Sequence, residues 1–151
     1  MKWVLGYAAA AAIAIALAAC SSGNSGGSGG SDTDQIRSRI NSLVAHINSG
    51  NAKAILDDDV PTSARRTCSD KDAKESLTRL KELTPKLSVK SIDDVTITGS
   101  KATASVVLST GNALLQQTPP IPFPLVKDGG GWRIDTTEAN GCNGLVPTGL
   151  G

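Results

Sequence analysis

Three cysteines, one histidine, a run of three aspartates and a run of three glycines are the residues of this chain whose types and spacing could do chemistry. A thiol can take a lipid, pair as a disulfide, bind a metal or attack a substrate. Histidine can move a proton near neutral pH. His46 falls about 80° from the centre of its helix's apolar stripe, which predicts a half-exposed surface histidine. Pairing it with Cys68 as a nucleophile would need a reduced thiol and spatial coincidence. Asp57, Asp58 and Asp59 are adjacent, so they cannot all face one ion, and the alternating spacing and glycine of a calcium loop are absent. A solvated helix end is the reading of that run. Gly129, Gly130 and Gly131 are followed by neither Lys-Ser/Thr nor a helix, which excludes a phosphate loop. No metal and no cofactor are expected.

Of the three cysteines, Cys20 has the most informative surroundings. It follows Leu17, Ala18 and Ala19 at the end of an uncharged, alanine-rich run that begins after Lys2. A basic start, an apolar middle and small residues before a cut site make an export signal. With cysteine directly after the small residues, the segment resembles the lipobox of bacterial lipoproteins. That resemblance implies thioether lipidation of Cys20, cleavage before it and N-acylation. The alternatives are an uncleaved anchor and plain secretion. The run from Trp3 to Ala19 is 17 residues, the short limit for spanning a bilayer, and no basic stop-transfer cluster follows. The expected organisation is a signal over 1–19, a lipidated cysteine and Gly/Ser tether over 20–31, and one domain over 32–151. Ser21 to Ser31 holds only Ser, Gly and one Asn, a composition with an r.m.s. reach of roughly 17–20 Å. The expected location is therefore the outer face of the cell membrane, with the domain close to the lipid.

Loss of Lys2 with the signal leaves 14 of the 15 basic residues against 14 acidic ones. A general nucleic-acid binder should be basic, so nucleic acid is not an expected partner. The charge is uneven. Residues 65–90 hold eight Lys/Arg against four acids. Arg65, Arg66, Lys71 and Lys74 are the candidate basic surface, either a solvated helical face or a dock for anionic lipid or cell-wall polymer. In an exported chain, Cys68 and Cys142 are expected to form a disulfide. Its loop of about 75 residues is worth roughly 4–4.5 kcal/mol on the chain-entropy account. It would clip the tail from Asn140 to Gly151 onto the helical half.

The elements that must position these residues are legible in the periodicity. Ile36, Ile40, Leu43, Val44 and Ile47 share one helical stripe. Asp32 or Asp34 could cap its start, and Asn48-Ser49-Gly50 stops it. A short second helix is predicted from Asn51 to about Leu56, ended by Asp57-Asp58-Asp59-Val60-Pro61. A third opens at Ser69 with Asp72 in capping-box position and buries Ala73, Leu77, Leu80 and Leu83, with a stop at Thr84-Pro85. Beyond Pro85 the period becomes two. Leu87, Val89, Val95 and Ile97 alternate, with Asp93-Asp94 as a bulge or turn. Ala102, Ala104, Val106 and Leu108 follow, and Val107 suggests partial cover on both faces. Ile121, Phe123 and Leu125 alternate with Pro122 and Pro124, which cannot donate to a ladder, so this strand is expected at an edge, at least in its first half. The glycine run then turns the chain into a last strand carrying Trp132 and Ile134. The fold class is α+β: two to three N-terminal helices packed on a curved, mainly antiparallel sheet of about four strands.

Three segments carry a wider resemblance: the break at Asn48-Ser49-Gly50-Asn51, the run from Val95 to Val106, and the run from Leu125 to Asp135 with its Gly-Gly-Gly-Trp-Arg-Ile core. Over roughly residues 34–137 the chain resembles small exported actinobacterial lipoproteins and antigens with a nuclear transport factor two-like (cystatin-like) fold. The arrangement is similar to that of the mycobacterial low-molecular-weight secreted antigens. The resemblance implies a cone of helices on a curved sheet, often with an internal pocket, and places Leu125 to Asp135 in the final hairpin. Enzymes of this superfold line the pocket with Asp, His and Tyr. The mature chain has no tyrosine and one histidine, so it is not expected to be an enzyme.

Two functions remain. One is a non-catalytic interaction or accessory module of the cell envelope, meeting an envelope protein through the basic segment or the proline-rich strand. The other is a carrier holding a lipid or another apolar molecule between helices and sheet. Its lining would come from Leu43, Ile47, Leu77, Leu80, Val106, Phe123 and Trp132, which are equally candidates for a plain core. Nothing in the sequence sets the oligomeric state.

Overall fold

The computed structural model describes residues 31–111, 118–136 and 142. The signal, Cys20 and all but the last residue of the tether lie outside the described residues, as does most of the tail beyond Thr136. Among the described residues no helix is long and apolar enough to cross a membrane.

Helix α1 spans Asp32–Ser49 and buries Ile36, Ile40, Leu43, Val44 and Ile47. Its cap is Ser31, not either aspartate: the Ser31 side chain accepts from the Asp34 amide and donates to the Asp34 carboxylate. The two acids instead occupy the first turn, where the helix dipole favours them. Gly50 ends α1 at φ 69°, a left-handed conformation that glycine adopts without penalty. Helix α2 (Ala52–Ala54) starts on the Asn51 side chain and does not stop at Leu56. It widens into a π-turn over Ile55–Asp59, closed by the Val60 amide on the Ile55 carbonyl at 3.2 Å. A 3₁₀ turn covers Ala64–Arg66. Helix α3 (Asp70–Leu83) opens on Ser69, whose hydroxyl accepts from the Asp72 amide. It buries Ala73, Leu77 and Leu80, but Leu83 is 58% exposed, because the last turn runs past the core.

Strands β1 (Ser88–Thr98), β2 (Lys101–Ser109), β3 (Ile121–Asp128) and β4 (Gly131–Ile134) form one antiparallel sheet in sequence order. The Asp93-Asp94 break is a bulge within a continuous β1, with Asp94 at φ 49°. One face of the sheet is buried under the helices. On it small residues pair with large ones, Ala102 opposite Leu125 and Ala104 opposite Phe123, and all four are buried in the core cluster. Val107 is half-buried on the other face, opposite Ser91.

The proline strand is internal to the sheet, which corrects half of the expectation. The Lys127 amide donates toward β2, to Ser100, whereas the Pro124 carbonyl accepts from Asp135 on the β4 side. Odd residues of β3 therefore address β2 and even ones address β4. Both prolines are even, and β4 pairs only with Leu125 to Asp128. The missing N–H groups thus face a side on which no described strand follows, and the first half of β3 is an edge there.

Candidate functional site

The α1 sequence repeats a polar residue every seventh position: Asp32, Arg39 and His46. Seven residues are two helical turns, so all three project from one side of α1. They meet Trp132 of β4 and Asp59 of the π-turn. Asp32 accepts the indole N–H of Trp132 at 3.1 Å and the Lys127 ammonium at 3.0 Å. The same ammonium sits 5.2 Å from the Trp132 ring centroid. Lys127 first, and Trp132 second, hold the Asp32 carboxyl below its ordinary range. Arg39 donates from Nε to the Trp132 carbonyl at 3.0 Å, on the side of β4 away from β3, so it closes that sheet edge.

Asp59 is the centre of the arrangement. Its side chain is 0% exposed, which overturns the reading of Asp57-Asp58-Asp59 as a solvated helix end. Arg39 Nη1 lies 3.1 Å from one oxygen and His46 Nδ1 lies 2.7 Å from the other. A carboxylate only accepts, so the imidazole carries its proton on Nδ1. His46 is about a quarter exposed, with its side chain tied inward. Burial of Asp59 is tolerable because both oxygens have cationic or N–H partners. Asp58 stays exposed and Asp57 half-exposed, the latter held below the usual carboxylate range by Lys53. One signal separated the three: Asp59 is four residues from Ile55 and three from Leu56, on their buried face, while Asp57 and Asp58 fall off it.

The carbonyls at the end of the π-turn are closed by guanidinium groups. Arg65 donates to the Asp57 carbonyl, and Arg133 donates to those of Asp57 and Asp58. Arg65 is therefore turned into the domain and does not belong to an open basic surface. Arg66, Lys71 and Lys74 are exposed. Asp128 reaches from the β3–β4 hairpin to the Thr62 amide and hydroxyl, which lower its carboxyl pKa. Cys68, just before the cap of α3, is bonded to Cys142 with Cα atoms 4.9 Å apart, so Cys68 is not a free nucleophile beside His46. Among the described residues no cluster of three or more His, Cys, Asp or Glu is placed to hold a metal.

The seven candidate lining residues are brought together. Leu43, Ile47, Leu77, Leu80, Val106, Phe123 and Trp132 are all buried, at 3% exposure or less, in one continuous apolar cluster. The proline-rich segment is mixed, with Pro122 and Pro124 on the exposed side of β3 and Ile121 and Phe123 in the core.

No protein-family model and no curated protein sequence matches the chain. Among solved structures, the chain is similar to a designed nuclear transport factor two-like protein. The TM-score is 0.52 at 13% sequence identity, over 68% of this chain and 94% of that one. That likeness, together with helices packed on one face of an open four-stranded antiparallel sheet, gives the chain a nuclear transport factor two-like α+β fold.

Proposed function

We propose that the chain is a lipoprotein anchored through Cys20 to the extracytoplasmic face of the cell membrane, and that its domain is a non-catalytic interaction module of the envelope. The anchoring half rests on Leu17-Ala18-Ala19-Cys20 and the Ser/Gly tether behind it. The observation that carries the module half is the state of the interior. The side chains a carrier would need as a lining are buried in one apolar cluster, which also takes in Ala102 and Ala104 beside Leu125 and Phe123. The polar groups most suited to proton chemistry support the same reading. Asp59 spends both oxygens on Arg39 and His46, and these bonds tie α1 to the π-turn.

Native mass spectrometry of the protein taken gently from its own membrane tests both halves. The expected result is a covalent lipid mass on Cys20 and no further small molecule. A chain without lipid on Cys20 overturns the anchor. A non-covalent apolar passenger, lost on activation and absent from unrelated lipoproteins prepared alongside, replaces the module with a carrier.

A further inference from the structure

Strand β1 is an open edge of the sheet. It pairs with β2 on one side, and among the described residues no strand lies on the other. Ala102, Ala104 and Val106 of β2 stand opposite the odd residues of β3 that address β2, and the Leu108 carbonyl accepts from Thr118 on that same side. Even residues of β2 therefore turn their N–H and C=O groups away from β1. The β1 residues opposite them turn theirs to the free edge: Val89 opposite Leu108, Ile92 opposite Val106 and Ile97 opposite Ala102. These residues also carry apolar side chains on the core side of the sheet, and there the helices cover them incompletely. The core-facing residues of β2, β3 and β4 are buried, whereas Val89, Ile92 and Val95 are half-buried and Ile97 is 37% exposed. An edge with outward backbone groups and a half-covered apolar row is a template for pairing.

We infer that β1 pairs antiparallel with β1 of a second copy of this chain, about a two-fold axis at Ile92. The residues are self-complementary about that point. Stepping outward, Ser91 meets Asp93 of the other copy, Lys90 meets Asp94, Val89 meets Val95 and Ser88 meets Thr96. Lys90 and Asp94 are exposed, and neither forms an ion pair with a described residue. Charge selects this register: an axis on Asp93 would set that carboxylate against its own copy, whereas the axis on Ile92 makes two Lys–Asp pairs. The bulges obey the same symmetry. One extra residue, Lys90, lies between Val89 and Ser91, and another lies between Asp93 and Thr96. Val95 packs on the core, so the second extra residue is Asp94, with φ 49°. Such irregularities ordinarily spoil an edge for pairing. These two are equidistant from Ile92, so each lies opposite the other and the register is kept beyond them. The backbone groups of Val89, Ile92 and Val95 then form the ladder, and the Val89–Val95 and Ile92–Ile92 pairs add cover to the apolar row. The contact is isologous and closes on itself. It goes beyond the module reading and needs no lipid on Cys20.

The test uses the full chain in detergent, with p-benzoyl-phenylalanine placed at Thr96 and native mass spectrometry as a parallel readout. The expected result is a two-chain mass and a light-induced two-chain adduct that maps to residues 86–90 of the other copy. A label at Pro124, two strands away on the same outer face, gives no such adduct. Lys90→Asp sets acid against Asp94 at both pairs, and Asp94→Lys sets base against Lys90 at both. Each is expected to lower the adduct by on the order of 10-fold. An equimolar mixture of the two variants makes both pairs opposite in sign again and restores the adduct, as does the chain carrying both changes. A single-chain mass throughout a dilution series, an adduct from Pro124 in place of Thr96, or charge reversals without effect overturn the inference. So does a mixture of folded variants that fails to recover. Circular dichroism reports the fold of each variant. If Asp94→Lys does not fold, because position 94 holds φ 49°, Lys90→Ala and Lys90→Asp decide. A yield falling in the order parent, Lys90→Ala, Lys90→Asp supports the pairing, and equal yields overturn it.

Discussion

His46 Nδ1 lies 2.7 Å from Asp59 Oδ2, joining α1 to the π-turn across 13 residues of sequence. With Arg39 on the other oxygen, a fully buried carboxylate is satisfied from two places on one helix. Breaking a buried pair by removing one partner leaves an uncompensated charge, and that is what makes such pairs costly to cut.

Asp59→Ala is therefore expected to lower unfolding stability by about 3–5 kcal/mol, because it strands Arg39 against the β4 edge and takes the partner from His46. Asp58→Ala, one residue away and exposed, is expected to fall within about 0.5 kcal/mol of the parent. Urea denaturation followed by the emission of Trp132, the single tryptophan among the described residues, measures both. Similar values for the two variants would refute the buried node.

The disulfide gives a second expectation. Cys68 and Cys142 are 74 positions apart, and opening that loop should cost roughly 4 kcal/mol on the chain-entropy account. Cys68→Ser with Cys142→Ser should show that loss in urea. A thiol assay on protein denatured without reductant should find neither sulfur free, and titration of both would sink the pairing.

Acid stability follows from Asp128. The Thr62 amide, and after it the Thr62 hydroxyl, hold its carboxyl below the ordinary value, so near pH 4 and below the unfolded chain takes up a proton that the folded chain resists. The contribution is fully present above the ordinary carboxylate pKa and is lost as pH falls through the lowered one. Asp32, held down by Lys127 and Trp132, acts in the same direction. The urea midpoint of the parent should drop from pH 5 toward pH 2.5. Asp128→Asn should start lower at neutral pH and fall less steeply. A variant with the parent's full slope would show that the Thr62 contact does not couple to folding.

Much of this fold was legible because its signals are local. Ser69 with Asp72, Gly50 after Asn48-Ser49, and the alternation of Ala102 to Leu108 each depend on residues within one element. What escaped depends on neighbours that are distant in sequence. Spacing from Ile55 and Leu56 sets Asp59 apart from Asp57 and Asp58, but its partners Arg39 and His46 come from α1, distant in sequence. Ser31 was passed over as the cap because two acids stand just behind it. The prolines of β3 block one side only, and their place in the sheet was decided by how short β4 is. Arg65 counted as basic surface until the bare carbonyls of the π-turn supplied it with acceptors.

The interior itself offers the sharpest separation of module from carrier. Leu80 is 1% exposed and faces the cluster that contains Phe123 and Trp132. If that cluster is filled, Leu80→Trp must push side chains off their rotamers, and overpacking of this kind costs about 1–3 kcal/mol. If the interior is a ligand pocket, the indole takes the ligand's place, stability holds and uptake of an apolar probe falls. The burial of the whole cluster leads us to expect the first result: a lower melting temperature, an added tryptophan with crowded, shifted emission, and no change in probe binding. A variant as stable as the parent that also loses probe uptake would reverse the assignment, because it would place a real vacancy between α3 and the sheet.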